Sequence, residues 1–72
     1  MKVKLKIVEI KAILARKSMS QNCFAGRVGI TSGYMSQLMS GFRHPSPKLR
    51  VRILKRLKMD ESKFDEIFEI KN

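Results

Sequence analysis

Apolar residues recur along this chain in two rhythms. From Lys2 to Ile7 the order is K-V-K-L-K-I, a strict alternation that puts Val3, Leu5 and Ile7 on one face and three lysines on the other. That is the period of a strand. An isolated strand is unstable in water and needs a partner. Phe68-Glu69-Ile70-Lys71 alternates in the same way and is a candidate. Pairing of the two ends, within one chain or between two, is one reading. A frayed basic arm, or the first turn of the next helix, is the other.

The rest of the chain keeps a helical rhythm. Ile10, Ile13 and Leu14, with Ile7 one turn earlier, predict a first helix over Val8–Lys17. Arg16 and Lys17 in its last turn suit the helix dipole. Ser18 to Ser20 make a short connection. Ser20 caps a second helix, because its hydroxyl accepts an otherwise unpaired N–H of the first turn. Gln21 opens that helix, and Phe24, Ala25 and Val28 form its inward face. Gly29 follows where φ turns positive, and Ile30 is apolar within the turn. Thr31 caps a third helix that directs Met35, Leu38 and Met39 inward and Ser32, Ser36 and Gln37 elsewhere, and Gly41 ends it. Two helices joined by a short turn containing Gly make the helix-turn-helix pattern, here over residues 20–41. GFRHP breaks the rhythm as a loop. Ser46 caps a fourth helix with Pro47 at its first position, where a missing N–H costs nothing. Leu49, Ile53, Leu54 and Leu57 form its inward stripe. Asp60 caps a fifth helix, Glu61 to Phe68, with Phe64, Ile67 and Phe68 apolar.

These residues resemble the lambda-repressor/Cro-like (Xre-type) helix-turn-helix family. The resemblance rests on Gln21 at a helix start, Ala25 one turn on, Gly29 at the turn, and apolar residues at Phe24, Val28, Ile30, Met35 and Leu38. GFRHPSP looks like the family's short loop before its fourth helix. The match runs from Val8 to Ile67. It implies an all-α fold, a five-helix lambda-repressor-like domain, with the terminal two-stranded pairing as an addition. It also implies duplex DNA as the partner, with the third helix in the major groove.

Seventy-two residues allow one domain, 1–72, with a basic alternating segment at 1–7 and an acidic tail at 60–72. Apolar residues make up 43%, enough for a core. No apolar run approaches the ~18 residues of a membrane span, and Met1–Lys11 lacks the apolar stretch of a signal peptide. The single Cys23 has no partner for a disulfide within the chain, which suits a reducing cytoplasm. The net charge is +10, unevenly placed. Residues 1–17 carry six basic side chains against one acid, and residues 41–58 carry seven against none. Residues 18–40 carry only Arg27, and residues 59–72 hold five acids against two bases. Basic blocks therefore flank the helix pair, and such a field draws in a polyanion.

The candidate chemistry follows. A helix fits the major groove and meets base edges near its N-terminus. Thr31, Ser32, Ser36 and Gln37 both donate and accept, and Gln37 can bond adenine at N6 and N7. In the resembled family the positions of Ser32, Gly33 and Gln37 commonly read bases, and those of Gln21 and Ser36 often touch phosphate. Thr31, Ser32, Gly33 and Gln37 are accordingly the base-contact set. Gly33 departs from the pattern: it is either a place for close backbone approach or a thymine methyl, or a neutral gap. Gln21, Ser36, Arg43, Lys48 and Arg16 are the phosphate-contact set, Arg43 because the family's loop touches the backbone there. Tyr34 sits at the helix edge, packing or bonding a phosphate. One histidine, His44, excludes a structural zinc set, and no cofactor is expected. Cys23 is expected to be partly buried, with no base to activate it, so an enzyme is the weakest reading.

One such unit recognises few base pairs, so a sequence-specific regulator of repressor type calls for a homodimer. Its contacts are expected in the tail, at Phe64, Ile67, Phe68 and Ile70, or in the alternating N-terminus. The alternative is an antitoxin-like protein that binds a partner protein and its own promoter, though the chain has almost no segment to spare for that partner. A third reading is non-specific binding to nucleic acid or an anionic membrane, driven by charge alone.

Overall fold

The alternating N-terminus is a strand, β1 (Lys2–Leu5), in the computed structural model, which describes residues 2–71. It is followed by α1 (Ile7–Arg16), α2 (Gln21–Val28), α3 (Ser32–Ser40) and α4 (Pro47–Arg56). A 3₁₀ turn (Glu61–Lys63) then leads into the single-turn α5 (Phe64–Ile67) and into β2 (Phe68–Lys71). The two strands pair antiparallel within the chain, with Val3 opposite Ile70, Lys4 opposite Glu69 and Leu5 opposite Phe68. Opposite charges at Lys4 and Glu69 favour this register on the outer face. Val3, Leu5 and Phe68 are buried. Lys6 N–H donates to the Ile67 carbonyl at 2.8 Å, fastening the start of α1 to the end of α5.

Each cap read from the sequence is made. Ser20 Oγ accepts from Cys23 N–H at 3.0 Å, Thr31 Oγ1 from Tyr34 N–H at 3.0 Å, and Ser46 Oγ from Leu49 N–H at 3.2 Å. Asp60 Oδ1 accepts from Ser62 N–H at 3.0 Å. Gly29 and Gly41 close α2 and α3 at φ +86° and +85°, the left-handed region that glycine enters without steric cost. The ends of α1 and α4 are less conventional. Ser18 (φ 53°) and Lys58 (φ 58°) take the same left-handed turn without glycine.

The core draws on every helix except the 3₁₀ turn: Ile10, Phe24, Met35, Leu38, Ile53, Ile67 and Phe68 are its fully enclosed large side chains. α2 packs on α3 and α4, α1 on α5, and β1 on α3. Three expectations are corrected. The fifth helix is shorter than Glu61–Phe68 at both ends: Glu61–Lys63 is a 3₁₀ turn, and Phe68 is extended, at φ −123° and ψ 148°. It answers the two-residue period of FEIK and pairs with Leu5 instead. Ile67 and Phe68 are 0% and 1% exposed, so they belong to the chain's own core and not to a dimer contact. Their helical and strand rhythms mark burial, which one chain already satisfies. Phe64 is half-buried, with its ring centroid 4.7 Å from that of Phe68, and Ile70 remains exposed. Cys23, expected partly buried, is exposed, because its neighbour Phe24 takes the core position. Among the described residues no helix is long and apolar enough to cross a membrane.

Candidate nucleic-acid interface

The solvent face of α3 is uncharged. Met35, Leu38 and Met39 are buried beneath it. Ser32, Ser36 and Ser40 make one exposed row at four-residue spacing, and Gly33 and Gln37 make the next. A Cβ at Gly33 would meet nothing within 4 Å, so no packing demands glycine there. Thr31 stands at the head of the helix, its Oγ1 engaged by Tyr34 N–H. The whole base-contact set expected from the sequence therefore lies on one exposed surface or at its N-terminal edge.

Two of the expected phosphate contacts are joined. Gln21 Nε2 donates to Ser36 Oγ at 3.2 Å, tying the start of α2 to the middle of α3. One N–H of the Gln21 amide remains for an outside acceptor. Arg43 sits at the other border. Its backbone N–H donates to the Gln37 carbonyl at 3.2 Å, its Nε donates to Gln37 Oε1, and its guanidinium lies 5.4 Å from the Tyr34 ring centroid. Arg43 is thus fixed in place, and it engages a residue of the base-contact set. Arg16 and Lys48 are exposed on the last turn of α1 and the first turn of α4, and nothing bonds them to α3.

The acids do not neutralise the basic blocks. Among the described residues the ion pairs are Lys63–Glu66 and Lys71–Glu69, both confined to the tail. The cations of α1, α4 and the loop after α3 have no carboxylate partners among the described residues. No group of three His, Cys, Asp or Glu side chains suited to a metal lies among the described residues.

Four features escape the sequence reading, among them the stacking of Tyr34, itself expected at the helix edge. Phe42 is 84% exposed beside Gln37 and Arg43, and the three line an open groove of about 480 Å³. The only signal was an aromatic residue in a polar loop. Tyr34 carries Arg43 on its ring, which no local pattern announces. Lys4 comes to the C-terminal end of α3 because β1 packs there: its Nζ lies 3.9 Å from where a Cβ of Gly41 would stand.

Arg52 is the fourth. From α4 it reaches across to the end of α2, where Nε donates to the Val28 carbonyl at 3.0 Å and Nη2 to the Gly29 carbonyl at 3.1 Å. It places a cation on the negative end of the α2 dipole and fixes the turn into α3. A Cβ at Gly29 would come within 2.5 Å of the same Nη2. His44, by contrast, is half-buried, and its Nε2 is enclosed without a partner among the described residues. No protein-family model matches this chain, nor does any curated protein or solved structure.

Proposed function

We propose that this chain is a sequence-specific double-stranded DNA-binding regulator of repressor type, built as a lambda-repressor/Cro-like helix-turn-helix domain. The observation that carries the reading is the uncharged, small-residue face of α3 in a chain of net charge +10. Duplex DNA asks for that combination: short polar side chains toward the base edges, cations toward the phosphates on either side. Gln21 with Ser36 takes a phosphate at the start of α2. Arg16 and Lys48 add sequence-independent attraction from farther out.

A single module of this kind buries about 600–1,000 Å² on DNA, so operator specificity calls for two copies with half-sites about 34–36 Å apart. With Ile67 and Phe68 in the core, the dimer contact reduces to Ile70 and Phe64 with Val51 of α4. Ile70 and Val51 are each 50% exposed, and both line one groove with Phe64. The same strip supports the second reading, an antitoxin-like protein whose partner protein occupies it.

Titration of a labelled cognate duplex tests the proposal. Specific binding persists against a large excess of random competitor DNA at 150 mM salt. Binding that random DNA removes completely, and that falls with salt equally for every sequence, refutes it. Sedimentation separates the two occupants: a second copy gives a concentration-dependent dimer of this chain alone.

A further inference from the structure

We propose, resting on the duplex-binding reading above, that Tyr34, Gln37 and Arg43 form one donor unit that reads guanine. A free glutamine amide presents one donor and one acceptor, which suits adenine N7 and N6. Gln37 is not free. Arg43 Nε–H points at its side chain, and a guanidinium has only donors, so the amide atom facing it is the oxygen. Oε1 is thereby engaged, and Nε2 with its two N–H groups is left outward. The carbonyl keeps a second lone pair, but a full positive charge stands beside it. The amino hydrogens on adenine N6 would face that charge. Guanine offers only acceptors there, O6 and N7, and both are drawn to it.

The arginine is also held for the task. Its backbone N–H is bonded to the Gln37 carbonyl at 3.2 Å, and its guanidinium lies over the Tyr34 ring at 5.4 Å. A side chain held at two points on a tethered backbone gives up little freedom when it binds, and that favours reading over a swinging phosphate contact. The open groove between Gln37, Phe42 and Arg43 leaves the guanidinium edge accessible. Arg43 therefore moves from the phosphate-contact set to the base-reading set, and Tyr34 becomes its positioning residue.

The test is anisotropy titration of wild type and variants against duplexes selected from a random pool, with all four bases placed at the position that Gln37→Ala relaxes. The wild type prefers guanine there by on the order of ten- to a hundredfold. Arg43→Ala loses that preference and turns to adenine, because Oε1 is released. Arg43→Lys keeps the charge and the salt dependence but loses most of the guanine preference, since its ammonium lacks the planar fork. Tyr34→Phe keeps the preference, and Tyr34→Ala weakens it. Adenine preferred by the wild type overturns the inference while leaving duplex binding intact. So does an Arg43→Ala variant that weakens every base equally and lowers the salt slope by about one, the mark of a phosphate contact. A wild type with no sequence preference overturns the inference and the function together.

Discussion

Arg52 offers the sharpest test of how the helix pair is held. Replacing it with Met keeps most of the stem but removes the guanidinium from the Val28 and Gly29 carbonyls at the end of α2. Hydrogen bonds to a charged donor contribute about 1.5–3 kcal/mol in favourable settings. These carbonyls are only part-buried or exposed, so water replaces part of the loss. About 1.5–2 kcal/mol is the resulting cost, including the interaction with the helix dipole. For a domain of this size each kcal/mol moves Tm by about 4–8 °C, so Tm should fall by about 6–16 °C. Lys55→Met is the control. Lys55 is exposed on the same helix, and its side chain makes no hydrogen bond or ion pair among the described residues. It removes the same charge, and in a chain of net charge +10 that relieves self-repulsion slightly. Both variants are read by urea and thermal unfolding with far-UV circular dichroism, with an unchanged m-value confirming a native-state effect. If Arg52→Met costs no more than Lys55→Met, the clamp on the turn contributes nothing and the reasoning fails.

Other expected outcomes test separate parts of the structure. Gly33→Ala should raise stability by about 0.5–1 kcal/mol, as should Gly26→Ala, since a Cβ at either meets open space. Only Gly33→Ala should weaken duplex binding in an anisotropy titration, because only that Cβ stands on the exposed face of α3. Phe42→Ser should leave Tm within about 0.5 kcal/mol equivalent yet weaken duplex binding. The Asp60 carboxyl is held below its ordinary 3.8, chiefly by the Ser62 hydroxyl and then by the Ser62 N–H. Its capping contribution is therefore complete above that value and is lost as pH falls below it. Asp60→Asn should flatten that part of the acid-unfolding curve.

What was legible in the sequence was local. Ser20, Thr31, Ser46 and Asp60 announce helix starts by side-chain chemistry, Gly29 and Gly41 announce ends, and every one of these is made. The strand rhythm of the termini was also visible, but not which end paired with which chain. The answer came from packing: Val3, Leu5 and Phe68 close the core of the same molecule. The tail was hardest, because Phe64, Ile67 and Phe68 fit a helical period while Phe68 and Ile70 fit a strand period. Phe68 can obey only one of them, and pairing with Leu5 decided it.

The face of α3 was legible for the same local reason. Its borders were legible only at Gln21 and Arg43. Arg52, Lys4 and the Tyr34–Arg43 stack depend on residues brought together by the fold, and a basic side chain carries no mark of the carbonyl it will reach. Ser18 and Lys58 likewise turn left-handed without glycine, and the usual stop signal was missing from the sequence.

The central claim is that α3 reads duplex DNA while the basic blocks hold the phosphates. Selection of bound duplexes from a random pool tests it most directly. The account predicts enrichment of a two-fold symmetric site with half-sites about one helical turn apart. Recovered sequences no different from the starting pool would contradict it.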